Sequence, residues 1–299
     1  VNTRDEASAQ NSRDREKSER KVLGLIAGAG NLPTVAARLL CELGYSIRLV
    51  GFEGLTDPLV AAEVEQSRFL PLGRLEAMAK ALSEMEIRQL LLLGKVPKSL
   101  LYEEGGIIEP DEEAIRLLAN QRERLDEPLM QAIAGWIESR GFELCNQGEM
   151  LASLLAPLGS QSAREPSPGE LEDYEIGRSV VARLGHAGVG QCVVVRQGSV
   201  LAVEAIEGTD DTIRRAGRLG GRGATVVKAS RPGQDRRFDL PAIGVGTIEA
   251  MIDCGASALA VEAGSTLIID RKAVASAADQ ADIAIWGYRA ESSSEQPSW

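Results

Sequence analysis

Residues 21–52 read KVLGLIAGAGNLPTVAARLLCELGYSIRLVGF, and this stretch decides the fold. A short apolar run, too short for a buried helix, leads into Gly28 and Gly30. Asn31-Leu32-Pro33 follows, and Pro suits the first turn of a helix. The helix TVAARLLCELG then carries apolar residues at helical spacing and stops at Gly44, and YSIRLVGF reads as a second strand. Strand, glycine-rich turn, helix and strand in that order open a Rossmann-like unit. The glycines allow the backbone to approach a ligand, and amides at the helix start can hold a phosphate. The dinucleotide fingerprint is incomplete, because Pro33 stands at its third glycine position and Glu53 is the nearest acidic residue to the end of the second strand. An NAD(P)-dependent oxidoreductase is therefore the weaker alternative, beside a phosphate or sugar pocket or a turn needed only for packing.

Working outward, residues 74–86 read as a helix, QLLLLGKV as a buried parallel strand, and 111–125 and 127–140 as two helices broken near Asp126-Glu127-Pro128. FELCNQGEMLASLLAP supplies a short strand and a turn of helix. PLGSQSAREPSPG, at 157–169, combines Pro, Gly and Ser and reads as a linker. Beyond it come a helix to about Leu184, a hairpin QCVVVRQGSVLAVEA turning at Gln197-Gly198, a helix from Thr209, the strand ATVVKAS, DLPAIGVGT leading into a helix, the strands ALAVEAG and TLIID, the helix RKAVASAADQA and the strand ADIAIWGY. The expected class is α/β in two domains. A Rossmann-like domain spans 21–158, a linker 159–169 and a second α/β domain 170–289. Solvated tails are expected at 1–20 and 290–299, the first being too charged for a secretory signal.

The chain has 299 residues, 44% of them apolar, which excludes wholesale disorder. Thirty-three basic against 44 acidic residues leave a net charge of -11, which argues against nucleic-acid binding. Four isolated cysteines, 41, 145, 192 and 254, lack zinc-site spacing and fit a reduced, cytoplasmic setting. There is one histidine, His186, so acid/base chemistry falls mainly to carboxylates, Lys, Tyr or water. No apolar run reaches the length of a membrane-spanning helix.

The densest polar stretch is VEAIEGTDDTIRR, 203–215, with Glu204, Glu207, Asp210 and Asp211 at a strand-to-helix turn. Acidic residues there suit the helix dipole, and hard carboxylate oxygens also suit magnesium. Arg214 and Arg215 face either a phosphate or solvent. Lys228, Arg231, Arg236 and Arg237 form a local basic group before Asp239-Leu240-Pro241, a hint of an anionic ligand in an acidic chain. Glu262-Ala263-Gly264 ends a strand with a carboxylate.

Together these segments resemble a known family, the I-type UDP-2,3-diacylglucosamine pyrophosphatases of lipid A biosynthesis. The resemblance rests on LGLIAGAGNLP at 23–33, LGKV at 93–96, VGQCVVVRQGSVLAVEAIEGTD at 189–210, VKASRPGQDRRFDLPAIGVGTIE at 227–249 and VEAGSTLIIDRKAV at 261–274. It implies metal-dependent hydrolysis, with magnesium or another divalent cation, of UDP-2,3-diacylglucosamine to UMP and 2,3-diacylglucosamine 1-phosphate (lipid X). It also implies that the second domain is catalytic, that the ligand lies between the two domains, and that the protein is a cytoplasmic homodimer with peripheral contact at the inner membrane. The family's aspartate in DLP, whose loss leaves substrate bound and unturned, is Asp239 here. Its EGTD motif is Glu207, Gly208, Thr209 and Asp210, and its opening glycines are Gly28 and Gly30. Asp239 and Asp210 are the expected base or metal ligands, and Asp126 is an expected third ligand, although Asp126-Glu127 departs from the family's paired aspartates. Gly28, Gly30, Asn31, Glu207, Gly208, Thr209, Arg214 and Arg237 are the expected substrate contacts. A non-catalytic nucleotide-sugar-binding protein is the remaining alternative.

Overall fold

The computed structural model of the chain describes residues 21–97, 100, 107–119 and 126–290, apart from the side chains of 126 and 127. The chain divides into two compact units at Met150/Leu151. The expected tails lie outside the described residues, except for Ala290.

The N-terminal unit is built on β1 (Val22–Ala27), β2 (Ser46–Phe52), β3 (Gln66–Leu70), β4 (Gln89–Leu93) and β5 (Glu143–Leu144). Their spatial order is β3-β2-β1-β4-β5 and every neighbouring pair is parallel. This is the Rossmann-like order, reversing direction between β1 and β4. The crossovers hold α1 (Leu32–Glu42), a 3-10 helix (Pro58–Glu63), α2 (Leu75–Glu84), and between β4 and β5 α3 (Glu112–Ala119) and α4 (Asp126–Ser139). Leu23, Leu25, Ile47, Leu49, Leu90 and Leu91 are fully buried. Strands covered on both faces have no polar side to alternate with, hence the near-continuous apolar runs. Each such side chain contributes about 1.5–3 kcal/mol. Sequence pattern misses β3, a largely exposed edge strand (QSRFL) with no apolar face to show it. A short α5 (Gln147–Met150) ends the unit.

The C-terminal unit has β6 (Gly159–Ser160), α6 (Pro168–His186), β7 (Cys192–Arg196), β8 (Ser199–Val203), α7 (Thr209–Arg218), β9 (Thr225–Lys228), β10 (Ala242–Ile243), α8 (Val245–Cys254), β11 (Ala258–Glu262), β12 (Leu267–Ile268), α9 (Arg271–Gln280) and β13 (Ala284–Tyr288). Its main sheet runs β6-β13-β11-β9-β7-β8. β13, β11 and β9 are parallel, and antiparallel strands flank them. Alternate strand residues point to opposite faces. Val194, Val226, Leu259, Val261 and Ile285 pack with Ile213 of α7, Met251 of α8 and Val274 of α9. Val193, Val195, Val227, Ala260 and Trp286 pack with Tyr174 and Val181 of α6. The result is three layers. The predicted hairpin turns at Gln197 (φ 48°) and Gly198 (φ 78°), the left-handed pair a two-residue turn requires. Buried Asp173 on α6 accepts from both turn amides, at 2.9 and 2.7 Å, which holds Gln197 there despite its side chain.

The predicted linker needs correction, as does the domain boundary at 158. Residues 159–169 belong to the C-terminal unit. Gly159–Ser160 pairs antiparallel with β13, and Arg164 donates to Glu170 at 2.9 and 2.8 Å. Glu170 completes a capping box with Ser167 at the start of α6 and also accepts from Ser257. Burial alone would raise the Glu170 carboxyl, but the hydrogen bonds from Arg164, Ser257 and Ser167 win and lower it to about 2. Proline, glycine and serine mark this stretch because it turns sharply and caps a helix. Among the described residues no helix is long and apolar enough to cross a membrane.

Candidate functional site

Ligands of open α/β sheets bind outside the carboxyl ends of the strands. In the N-terminal unit that edge is made of backbone. β1 and β4 continue past their ends through Gly28 N to Leu93 O (2.8 Å), Ala29 N to Lys95 O (2.8 Å) and Lys95 N to Ala29 O (2.9 Å). A Cβ on Gly28 would lie 2.5 Å from the Lys95 carbonyl oxygen, so only glycine fits there. Gly30 takes φ +94°, and Asn31 precedes α1. An open cavity of about 850 Å³ adjoins them, lined by Gly30, Asn31, Glu53, Thr56, Asp57 and Phe69 among others. Buried Thr56 ties the β2 loop to β1 by donating to Ala27 O and accepting from Phe52 N.

In the C-terminal unit the same edge is made of charged side chains. β9 ends in Lys228, β11 in Glu262, and β8 runs into Glu204, each less than a tenth exposed. The Lys228 ammonium donates to Thr209 Oγ1 and to the Ala242 carbonyl, both at 2.8 Å. Thr209 in turn donates to Glu204 Oε1 at 3.0 Å, and Glu204 also accepts from Gln191 N at 3.1 Å. One hydroxyl thus links a buried cation to a buried carboxylate, and the cation links the start of α7 to β10. Glu262 accepts from Ser230 N (3.1 Å) and Ser230 Oγ (2.8 Å), and Tyr288 donates to Lys228 O at 3.3 Å.

The expected carboxylates stand on loops above this layer. Asp210, in the first turn of α7, accepts from Thr247 Oγ1 of α8 at 3.0 Å. α8 starts at Gly244-Val245-Gly246 with no acidic residue in its first turn. The carboxylate at this helix start is that of Asp210, whose Oδ2 would lie 3.8 Å from a Cβ on Gly246. Asp239 is part-exposed and forms an ion pair with Arg231. Glu207 accepts from Arg215 and Thr212. Burial would raise its carboxyl, but its backbone and Arg215 hold it below the ordinary value. Gly208 takes φ +83° to start α7.

Two of the expected phosphate contacts are engaged elsewhere. Arg214 pairs with Asp211 (3.2 Å) and with Asp253 (3.5 Å), the latter at the far end of α8 from Thr247. Arg237 forks onto both oxygens of Asp235, and this guanidinium holds the Asp235 carboxyl below the usual range. Arg236 donates to Gly264 O at 2.9 Å. The side chain of Asp126 lies outside the described residues. Among the described residues no group of three or more His, Cys, Asp or Glu side chains is placed to hold a metal, so a closed cage is not assembled among them. Cys192 is buried in the sheet and burial pushes its thiol up, so it is no thiolate nucleophile. His186 ends α6 with Nδ1 2.8 Å from Ala182 O.

Reasoning from sequence singled out Thr209 and Asp210, but left Lys228 and Glu204 as members of clusters, noted Glu262 only as a carboxylate ending a strand, and did not weigh Thr247 or Ser230. The available signal was a charge closing an otherwise apolar strand, as in TVVK and ALAVE, which puts that charge on the carboxyl edge of a parallel sheet.

A doubly wound α/β unit followed by a three-layer α/β unit, with partnered charges along the carboxyl edge of its parallel strands, defines a two-unit α/β protein. The chain belongs to the LpxI family: residues 22–154 match the LpxI N-terminal domain and residues 157–286 the LpxI C-terminal domain. The UDP-2,3-diacylglucosamine pyrophosphatase LpxI of Caulobacter vibrioides is 30% identical over 276 residues, covering 89% of this chain and 96% of that one. Similarity to solved structures is remote. A glycinamide-RNase-transformylase T from Mycobacterium tuberculosis is 16% identical with a TM-score of 0.24, covering 62% of this chain and 44% of that one. A biotin carboxylase from Campylobacter jejuni is 15% identical with a TM-score of 0.23, covering 78% and 42%. The chain spans less than half of either structure, and likenesses at that level carry no argument.

Proposed function

We propose that this chain hydrolyses the pyrophosphate bond of UDP-2,3-diacylglucosamine, releasing UMP and 2,3-diacylglucosamine 1-phosphate. The observation that carries the reading is the near end-to-end relationship to a curated UDP-2,3-diacylglucosamine pyrophosphatase. It is supported by an edge of the C-terminal unit that carries cations, carboxylates and the start of α8. A diphosphate diester resists water because its negative oxygens repel the nucleophile. A site for it supplies positive charge and a base. Asp239, the part-exposed carboxylate of the DLP loop, takes the proton of the attacking water. Asp210 lies at the start of α7, next to α8, whose first amides face the phosphate oxygens. The turn at Gly28, Gly30 and Asn31 offers amides to the nucleotide or sugar phosphate. Arg214 and Arg237 are left out of this assignment because of their ion pairs.

A magnesium ion, when bound, shields the diphosphate and acidifies a bound water. Magnesium asks a protein for only one or two carboxylates when phosphate oxygens and waters supply the rest, and Asp210 and Asp239 offer that donor set. The protein works as a cytoplasmic homodimer that touches the membrane peripherally to collect its acylated substrate.

The test is UMP release from UDP-2,3-diacylglucosamine by the purified protein, with magnesium and with EDTA. Release that stops in EDTA is expected. Release that persists there removes the metal from the proposal, and an absence of release with any divalent cation ends the pyrophosphatase reading.

A further inference from the structure

The loop between β9 and β10 carries three arginines, and two have structural work. Arg237 clasps Asp235 two residues away, and Arg236 binds the Gly264 carbonyl. Arg231 is different. Its guanidinium meets Oδ2 of Asp239, the carboxylate that the hydrolysis assigns as base. Arg231 rises from a rigid stem. Glu262 holds Ser230 through its amide and hydroxyl, and Arg231 N donates to Gln234 Oε1 at 2.9 Å. Pro232 Cδ packs 3.0 Å from where a Cβ on Gly185 of α6 would lie. Asp239 sits at the end of a turn closed by Asp239 N to Asp235 O at 3.0 Å. The Arg231 side chain is 17% exposed and that of Asp239 34%, so solvent reaches the carboxylate more than the guanidinium.

A carboxylate whose oxygen is held by a guanidinium is not free to turn toward a water. A guanidinium is also the group best shaped for paired phosphate oxygens, and a diphosphate presents more negative charge than one carboxylate. From this geometry, and resting on the pyrophosphatase reading, we infer that Arg231 is a diphosphate ligand that Asp239 occupies until substrate arrives. Binding exchanges the carboxylate for phosphate on Arg231 and releases Asp239 as the substrate enters. Arg231, rather than Arg214 or Arg237, is the arginine of the site.

The test is a double-mutant cycle on UDP binding, by calorimetry in EDTA at fixed salt, with the full chain. Asp239→Ala removes the competitor and is expected to bind UDP at least about fivefold more tightly than wild type. Arg231→Ala is expected to bind at least about tenfold more weakly, and the double variant like Arg231→Ala. Melting curves confirm that each variant is folded, and Arg231→Lys replaces Arg231→Ala if the latter is not. A gain for Asp239→Ala that survives in the double variant reports only the loss of a negative charge and overturns the inference. No gain at all, undetectable binding included, overturns it too. With the lipid substrate, Arg231→Ala is expected to raise KM more than it lowers kcat, and Arg231→Lys to recover part of the KM. Wild-type UMP release tests the reaction separately. An enzyme that turns over without the cycle disproves Arg231 alone, and a cycle without turnover disproves the pyrophosphatase alone.

Discussion

In the N-terminal unit, parallel strands end in glycines: β1 runs into Gly28 and β4 into Gly94, and the two backbones touch. In the C-terminal unit they end in charges, Lys228 on β9 and Glu262 on β11, with Glu204 beside them. The first edge presents backbone amides, and at Gly28 and Gly94 it leaves no room for a side chain. The second buries ionisable groups, each of which needs a partner because desolvated charge is costly. Proton transfer needs titratable side chains of the kind the second edge carries, whereas backbone amides can hold a phosphate.

The largest expected effect is on the charged edge. Asp239→Ala should lower the rate of UMP release by about 10²–10⁴-fold, the usual worth of a general base, while the ligand still binds. A wild-type rate would return the chemistry to another residue. Next comes the link within that edge. Thr209→Val keeps the shape but leaves Lys228 and Glu204 without their shared hydroxyl, and should cost about 1–3 kcal/mol in urea unfolding. An unchanged midpoint would mean that the chain of contacts is incidental.

On the backbone edge, Gly28→Ala should cost about 1–3 kcal/mol through overpacking against Lys95 O. Faster amide exchange should be confined to the β1–β4 contact. Exchange that spreads into the C-terminal unit would contradict the division between the two.

A smaller effect depends on pH. The Glu170 carboxyl is lowered in the folded chain from 4.5 to about 2, so its stabilisation is complete above the unfolded value and fades as pH falls towards 2. Glu170→Gln should flatten that acid limb of stability measured by urea midpoints, and an unaltered slope would reject the assignment. The least effect belongs to Arg214→Ala. Its ion pairs are exposed and screened by solvent, so the urea midpoint should scarcely move, and UMP release should stay as it was. A large loss would bring Arg214 back as a phosphate contact.

The Rossmann-like opening was readable because β1, the glycine turn, α1 and β2 are contiguous and each obeys a local rule. The hairpin at Gln197-Gly198 was readable for the same reason. The edge strand β3 was not, since exposure removes the apolar pattern. The supposed linker was misread because Pro, Gly and Ser mark a packed turn and a cap as readily as a free connection. Asp210, Thr209 and Asp239 were singled out through motifs, whereas the ion pairs that distinguish Arg231 from Arg214 and Arg237 had no local signal.

By itself the sequence determined the α/β class, most of the order of elements and the family. These follow from periodicity, composition and contiguous motifs. Only the tertiary structure decided which charges are partners. Asp210 meets Thr247 from 37 residues away, Lys228 meets Thr209 from 19, and Asp239 meets Arg231 while Arg237 turns to Asp235. Residue type says that a charge needs a partner. Which partner it finds is set by how strands and helices pack, and no local pattern encodes that.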